Sequence, residues 1–330
     1  MSGFHLLVAC HRRALIPLSL AVACGMPTLP GTAASDDTYL AHPDLFEFHL
    51  DGHIDGAGPR LLGAYTAHGH PVTLSMEAGA LIGRPLDAPR VVLRGQALTD
   101  LALHIHRATE EDEPAREWTI FVRSELPWTR LSDEYGYRAT YRLTVAPGPP
   151  DEAALAPQRY LCSGRPQAVL VTGERYDADT WNIRPGSSGS DLHRWLTIGC
   201  HGSPLWTMVL AGYDPARPAH DPYATTPAER QATLRMLRAD YCGTGRSFGS
   251  GPAIGARNRS GWVSFSVPDE HPGLSSQLEA GWTGQGAVCL TRPRHSDVWS
   301  RDAIEAVCGR PIPICTQTEL DLADWISRTL

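Results

Sequence analysis

Apolar and polar residues alternate with a period of two over several stretches of the chain. An apolar residue occupies every second position in residues 101–105, 118–122 and 135–145. This period places one face of a β-strand against a core and leaves the other face in solvent. The last two stretches, joined by the turn-forming residues 131–134, therefore predict an antiparallel hairpin with one solvated face.

Shorter apolar runs predict further strands. Residues 44–110 form a β-rich N-terminal region in which glycines follow apolar residues at irregular intervals. Later runs that are bounded by turn formers are typical of short strands. These runs lie at residues 168–172, 195–198, 207–210, 262–267 and 287–290.

The clearest helix is predicted in the C-terminal third of the chain. Thr226, Pro227 and Glu229 supply an N-cap, a proline at the first helical position and the acidic partner of a capping box. The helix ends in the segment 236–243. Gly243 is expected to take the left-handed conformation that follows the last helical turn.

Two shorter helices are predicted near the C-terminal end. One covers residues 300–307, and the other begins with a capping box at Thr316 and carries Leu322, Trp325 and Ile326. The many strands, together with 31 glycines and 27 prolines, indicate a mainly β protein with a few short helices (α+β). The expected architecture is an antiparallel β domain braced by disulfides.

Composition divides the chain into four parts. Residues 1–23 contain two arginines followed by an apolar run that is too short to span a bilayer, which predicts a signal peptide. Residues 24–43 are rich in turn formers and are interpreted as a linker. The acidic segment 110–114 is interpreted as a boundary between the N-terminal region 44–110 and a larger domain, 115–330.

The end of the leader allows two processing routes. Small residues precede Cys24, as in bacterial lipoprotein cleavage sites, so lipidation of Cys24 is predicted. The alternative is cleavage near Ala34, after an A-x-A-like site, which would release a soluble secreted protein. The two routes therefore differ in whether the protein is attached to a membrane.

Both routes retain six cysteines, and an even number in an exported chain predicts disulfides. Their spacing does not fix the pairing. Pairing by neighbourhood along the chain predicts Cys162–Cys200, Cys242–Cys289 and Cys308–Cys315. A metal site is the alternative, but the chain has no C-x-x-C motif and the spacings are wide, so neither a metal nor another cofactor is expected.

Charge and composition exclude several functional classes. The net charge is −7, and no basic cluster is present, which argues against nucleic acid as a partner. All 29 basic residues are arginine. The absence of lysine excludes P-loop phosphate binding, kinase chemistry, Schiff-base catalysis and Ser-x-x-Lys hydrolysis.

Ser247 lies in the only catalytic-looking motif, a literal G-x-S-x-G over residues 245–249. A nucleophile elbow needs a strand before the serine and a helix after it, whereas here a helix precedes the motif. Candidate partners follow downstream in a usable order, so a cell-envelope hydrolase stays the alternative function. These partners are Asp269, His271, His295 and Asp297.

Histidines in the N-terminal region provide a second candidate site. His104 and His106 project from the same face of a predicted strand, which is a common beginning of a metal site. No third ligand is fixed by spacing, although further histidines lie nearby in sequence. A solvent-facing polar row is the simpler interpretation. The nearby histidines are His49, His53, His68 and His70.

Asp240 is unusual because a carboxylate near a helix C-terminus opposes the helix dipole unless it has a partner. We expect it to accept backbone N–H groups of the loop 243–245, or to pair with an arginine. Tyr241 is expected to pack inward with its hydroxyl bonded, and Cys242 to form a disulfide. Ala239, Asp240, Tyr241 and Cys242 are thus assigned a structural role, and no catalytic residue is assigned.

The segment 235–243, with the sequence R-M-L-R-A-D-Y-C-G, resembles the signature of the ADYC domain, a bacterial family. The surrounding segments 279–282 and 286–289, and the last two cysteines, also fit, so that the resemblance covers about residues 115–330. It implies an exported, cysteine-rich protein of a family in which lipoprotein-type leaders are common. It implies no activity, cofactor or catalytic residue.

These observations predict an exported bacterial envelope protein, anchored by lipid at Cys24 and located in the periplasm, at the outer membrane or on the cell surface. It is expected to act as a binding or structural module and not as an enzyme. The expected partners are the membrane, through the anchor, and an envelope protein or a glycan.

Overall fold

The computed structural model describes residues 45–53, 59–107, 116–129, 138–177, 179–184, 190–217, 220–221, 224–249, 254–258, 261–264 and 277–329. The described residues are mainly strands, with a few short helices, which confirms the predicted fold class. The helices are α1 Pro150–Leu155, α2 Pro204–Leu210, α3 Pro227–Leu237, α4 Arg301–Cys308 and α5 Gln317–Asp321. The strands are β1 Leu45–His49, β2 Pro59–Tyr65, β3 Val72–Glu77, β4 Ala80–Pro85, β5 Leu101–Arg107, β6 Arg116–Thr129, β7 Arg138–Pro147, β8 Arg159–Tyr160, β9 Ala168–Val171, β10 Trp195–Cys200, β11 Ile254–Asn258, β12 Gly261–Ser264, β13 Gln277–Thr283, β14 Gly286–Leu290 and β15 Trp325–Thr329.

Seven strands close into a β-barrel. The sheet has the order β6-β5-β2-β1-β10-β9-β7-β8, and an additional pairing between β6 and β7 closes the first seven strands into a ring. The β1–β2 pair is parallel, and the other ladders of the barrel are antiparallel. The short strand β8 pairs with β7 alone.

The apolar positions predicted from the alternating pattern line one face of the barrel strands. Leu103 and Ile105 of β5 stand opposite Ile120 and Trp118 of β6 in the antiparallel register, and Leu103, Ile105 and Ile120 are buried. The prediction that the opposite face of β6 and β7 is solvated is wrong. On that face α1 contributes to a second apolar cluster, so the outer surface of the barrel is partly covered. The cluster consists of Ala102, Phe121, Ala146 and Ala153.

A β3–β4 hairpin packs against the barrel. Its turn residues Ala78 and Gly79 both have positive φ angles, 46° and 77°, as a type I′ hairpin turn requires. The Leu81 N–H donates a hydrogen bond of 2.8 Å to the hydroxyl of Tyr141 on β7. Burial raises the pKa of the Tyr141 hydroxyl far above its usual value, so this group remains a neutral acceptor.

A second sheet, with the order β12-β11-β15-β13-β14, lies on the other side of α2 and α3. The two helices share one large buried cluster with β9 and with this sheet. Trp282 of β13 and Trp325 of β15 are the largest fully buried side chains in it. The molecule therefore has three layers, which are the barrel, the helix pair and the five-stranded sheet.

Two elements differ in type from the sequence prediction. Residues 207–210, predicted as a strand, belong to α2, because the Ser203 side chain caps the helix and Pro204 occupies its first turn. The final helix opens at the predicted capping box of Thr316 but ends at Asp321. Trp325 and Ile326 instead form part of β15, the central strand of the second sheet.

Strands of residues 44–110 (β1, β2 and β5) and strands after residue 115 (β6, β7, β9 and β10) belong to the same barrel, in which β5 pairs with β6. They lie within one compact unit, His42–Leu330. The acidic segment 110–114, the leader 1–23, Cys24 and the linker 24–43 lie outside the described residues. None of the helices in the described ranges is long and apolar enough to cross a membrane.

Three disulfides brace the fold. Cys162–Cys200 is formed, and it joins the segment after β8 to the end of β10. The other two neighbour pairings, Cys242–Cys289 and Cys308–Cys315, are wrong, because the structure contains Cys242–Cys308 and Cys289–Cys315. The two bonds interleave along the chain. Cys242–Cys308 connects the loop after α3 to the end of α4, and Cys289–Cys315 connects β14 to the segment between α4 and α5.

Candidate functional site

The site is organised around the C-terminal end of α3. Both hydrogen bonds of the predicted capping box between Thr226 and Glu229 are present at the start of this helix. The last helical residue is Leu237, and the left-handed residue that directly follows the helix is Ala239, with φ of 51°; Gly243 also has a positive φ but lies four residues further on, in the loop. The prediction that Gly243 ends the helix is therefore wrong.

A Schellman motif turns the chain at Ala239. The Asp240 N–H donates to the Arg235 carbonyl over 2.9 Å, and the Ala239 N–H donates to the Met236 carbonyl over 3.1 Å. These bonds satisfy two carbonyl groups that the helix end would leave unpaired. The turn directs the Asp240 side chain towards the loop that follows.

Asp240 is completely buried, and its carboxylate has four donors. Oδ1 accepts the N–H groups of Gly243 and Thr244 at 3.0 and 3.2 Å, and Oδ2 accepts the N–H of Gly245 at 2.7 Å. Oδ2 also forms an ion pair with the guanidinium of Arg235. Both partners expected from the sequence, the loop amides and an arginine, are present at once.

The loop after the motif fits closely against the β13–β14 turn. Gly243 has φ of 74°, and any side chain there would collide with the Gln285 carbonyl oxygen. Glycine is needed at this position because of that close approach. The adjacent Cys242 is bonded to Cys308 of α4, so the loop is held by a covalent bond and by packing.

Tyr241 connects the motif to a second buried carboxylate. Its ring stacks on Trp282 with centroids 5.1 Å apart, and its hydroxyl donates to Glu279 Oε1 over 2.8 Å. The Tyr241 hydroxyl oxygen in turn accepts the backbone N–H of Arg294 over 2.8 Å. Burial, and then the Glu279 carboxylate, raise the pKa of the Tyr241 hydroxyl far above its usual value, so it stays protonated and donates.

Arg294 completes this network and caps the helix. Its guanidinium lies 3.2 Å from Glu279 Oε2 and donates to the carbonyl groups of Met236 at 2.7 Å and Leu237 at 3.2 Å. A cation at this end of α3 also interacts favourably with the helix dipole. Each buried carboxylate of the site is thus matched by one buried arginine.

The other end of α3 has a similar arrangement. Arg230 forms a buried ion pair with Glu174, and the Tyr176 hydroxyl donates to Glu174 Oε2 over 3.1 Å. Burial raises the pKa of Tyr176 well above its usual value, so this hydroxyl is also protonated. Since Arg230 and Arg235 are both buried and paired, α3 is fixed by ion pairs along its length.

The arrangement around Asp240 has no free capacity for a substrate. Both oxygens of its carboxylate are occupied by protein donors, and the Tyr241 hydroxyl both donates and accepts. A general acid or base must reach the reacting atom within hydrogen-bond distance. The motif is therefore built to order a loop and to join a helix to a sheet.

Ser247 does not lie in a nucleophile elbow. Its side chain is exposed in the loop after α3, and its hydroxyl donates to the Arg238 carbonyl over 2.7 Å. The His295 ring packs on Gly249, and its Nε2 has no hydrogen-bond partner, so no described histidine activates the serine. Asp269 and His271 lie outside the described residues, and Asp297 is exposed.

The histidines of the N-terminal region are not brought together as metal ligands. His104 Nε2 lies 3.0 Å from Glu117 Oε2, and His49 and His53 are ring neighbours with centroids 5.6 Å apart. Across the described ranges there is no group of three or more histidine, cysteine or acidic side chains that could hold a metal ion. His68 and His70 are exposed.

The most important partners of the motif were not identified from the sequence. Glu279 and Arg294 lie 38 and 53 residues from Tyr241. Glu279 begins the segment 279–282 that accompanies the motif in the family resemblance, and this was the one available signal for it. Arg294 had no such signal, because an arginine in a turn-rich stretch is ordinarily a surface residue.

Comparison with known proteins identifies a family. No curated protein and no solved structure matches the chain. The model of the ADYC domain matches residues 95–296, which is more than half of the chain; the match begins before the expected residue 115 and ends before residue 330. It includes five of the seven barrel strands, which are β5, β6, β7, β9 and β10, together with α3 and the network around Asp240, whereas β1 and β2 precede it. The chain therefore belongs to the ADYC domain family.

Proposed function

We propose that this protein is an exported, lipid-anchored component of the bacterial cell envelope that acts as a binding or structural module. The observation that carries the proposal is the combination of a signal-like leader ending at Cys24 with three disulfides in the folded part of the chain. Disulfides form and persist in oxidising compartments, of which the bacterial periplasm is one.

The motif chemistry supports a module and not an enzyme. The polar side chains of the Asp240 and Tyr241 network hold one another, and the exposed Ser247 has no histidine partner within the described part of the chain. The location that follows is the periplasm, the outer membrane or the cell surface. The ligand class in keeping with this location is an envelope protein or a glycan.

Membrane fractionation tests the anchor. Cys24→Ala is expected to move the protein from the membrane fraction to the soluble fraction, because it removes the residue that would carry the lipid. Cys10→Ala is the matched control, since Cys10 lies in the same leader and is removed under either processing route. If Cys24→Ala leaves the fractionation unchanged, the anchor at Cys24 is refuted.

A further inference from the structure

A loop with three exposed apolar side chains follows β4. Leu86, Val91 and Val92 are 59%, 49% and 41% exposed. They lie on residues 84–94, which include the last two residues of β4 and are here called the apolar loop. Solvent exposure of several large apolar side chains in one short segment is unfavourable, and such segments mark interaction sites when they are contiguous.

The apolar loop is ordered by its own hydrogen bonds. Gly83 and Leu93 exchange two backbone hydrogen bonds, of 3.1 and 2.8 Å, which bring its two ends together. Within it the Val91 N–H donates to the Ala88 carbonyl over 2.8 Å. The exposed side chains are therefore presented by a fixed backbone, which reduces the entropy lost when they are buried by a partner.

The charge of the apolar loop is opposite to that of the whole chain. It contains three arginines and one acid, Asp87, whereas the chain has a net charge of −7. Arg84 and Arg94 pair with Glu77. Arg90 is exposed, lies next to Val91 in sequence, and has no acidic or hydrogen-bonding partner among the described residues.

We propose that the apolar loop inserts into the interface of an anionic lipid bilayer, with Leu86, Val91 and Val92 among the upper acyl chains and Arg90 against lipid phosphate. Apolar side chains flanked by arginine suit this boundary. The inference rests on the proposed anchor.

Hydrogen–deuterium exchange of the full chain tests this contact locally. The protein carries Cys24→Ala and is mixed with phosphatidylglycerol–phosphatidylcholine vesicles, so the result does not depend on lipidation. Exchange in the peptide 85–93 is expected to slow at least about threefold on these vesicles. The triple variant Leu86→Ser, Val91→Ser, Val92→Ser is expected to lose this protection.

Two further variants make the test specific. Arg90→Gln is expected to raise about fivefold the lipid concentration that gives half-maximal protection on the anionic vesicles, and to leave that concentration unchanged on pure phosphatidylcholine. Leu155→Ser, at the exposed end of α1, is the control that keeps the protection. Thiol titration and circular dichroism confirm that each variant is folded.

Three outcomes would overturn the proposal. One is unchanged exchange of the apolar loop on vesicles. Another is equal protection by neutral and anionic vesicles. The third is protection that depends on protein concentration without vesicles, which would assign the loop to self-association. Failure of the fractionation test together with protection by vesicles would refute the anchor alone.

Discussion

A single buried carboxylate organises the C-terminal end of α3. Asp240 has no exposed surface, and it holds three consecutive loop amides and the Arg235 guanidinium. Removal of one partner from a buried ion pair is costly because the other charge stays desolvated. At the scale of the residue, the motif is therefore a stability determinant.

Asp240→Asn is expected to lower the free energy of unfolding by about 3 kcal/mol, because it leaves Arg235 without its counter-ion and turns an amide donor towards other donors. Urea unfolding of the oxidised protein measures this loss. The matched control is Asp51→Asn, which breaks the exposed pair with Arg194 and should cost at most about 1 kcal/mol. Equal losses in the two variants would contradict a structural role of Asp240.

The partners of Asp240 could be predicted from the sequence, but the left-handed residue that ends the helix could not. The loop amides and Arg235 lie within five positions of Asp240, so local geometry predicts them. Gly243 is a glycine because the Gln285 carbonyl approaches it, and Ala239 takes the left-handed turn instead. That contact spans more than forty residues and leaves no local pattern.

At the scale of the element, Glu47 joins β1 to its neighbours. Its carboxylate accepts the Thr197 hydroxyl on β10 and the Tyr176 N–H, both at 3.3 Å, and pairs with Arg175. Burial raises the pKa of Glu47 above its usual value, and the Arg175 cation only partly offsets that effect. The folded state therefore retains a proton on Glu47 at pH values where the unfolded chain has lost it.

The upward shift of the Glu47 pKa determines how the stability of the fold depends on pH. A folded-state pKa raised above the unfolded value of about 4.5 gives stability that is complete below that value and is lost as the pH rises through the folded pKa. Glu47→Gln removes this dependence. Urea unfolding between pH 4 and pH 7 gives the free energy of unfolding of the wild type and of the variant. The wild-type value minus the variant value is expected to fall as the pH rises. A difference that stays constant or grows would contradict the raised pKa.

Short apolar runs explain the two elements that the sequence placed in the wrong class. Four apolar or small residues over 207–210 fit a strand or a buried helix equally well, and only the cap at Ser203 distinguishes the two. Trp325 and Ile326 continue a helical spacing from Leu322. In the structure they belong to β15, which pairs with β11 on one side and with β13 on the other. Long alternating stretches such as β5 and β7 were predicted correctly because their period is unambiguous.

At the scale of the molecule, closure of the barrel depends on pairings between distant strands. Glu47 and Thr197, which meet across β1 and β10, are 150 residues apart in sequence. Sequence patterns can indicate strands and an antiparallel preference, but they do not determine which strands are neighbours. The same limit applies to the disulfides, where two of three pairs assigned by proximity in sequence were wrong.

Cys242→Ser with Cys308→Ser is expected to lower the free energy of unfolding by about 4 kcal/mol, since the bond closes a long loop of the unfolded chain. Hydrogen exchange should also accelerate in the loop 243–249. The control is Cys162→Ser with Cys200→Ser, which should cost a similar amount but leave that loop protected. Detection of a Cys242–Cys289 peptide in the non-reduced wild type would contradict this pairing.

The interleaved bonds have a consequence for how the chain acquires them. Of the four cysteines in these two bonds, a polypeptide that crosses a membrane from its N-terminus exposes Cys242 first and Cys289 next, before either of their native partners arrives. An oxidant that joins cysteines in order of arrival would therefore form a Cys242–Cys289 bond. That bond occupies one cysteine of each native pair and so prevents both native disulfides. Correction requires a thiolate to attack that bond and exchange it. Maturation along the proposed export route should accordingly depend on a disulfide isomerase in addition to an oxidase.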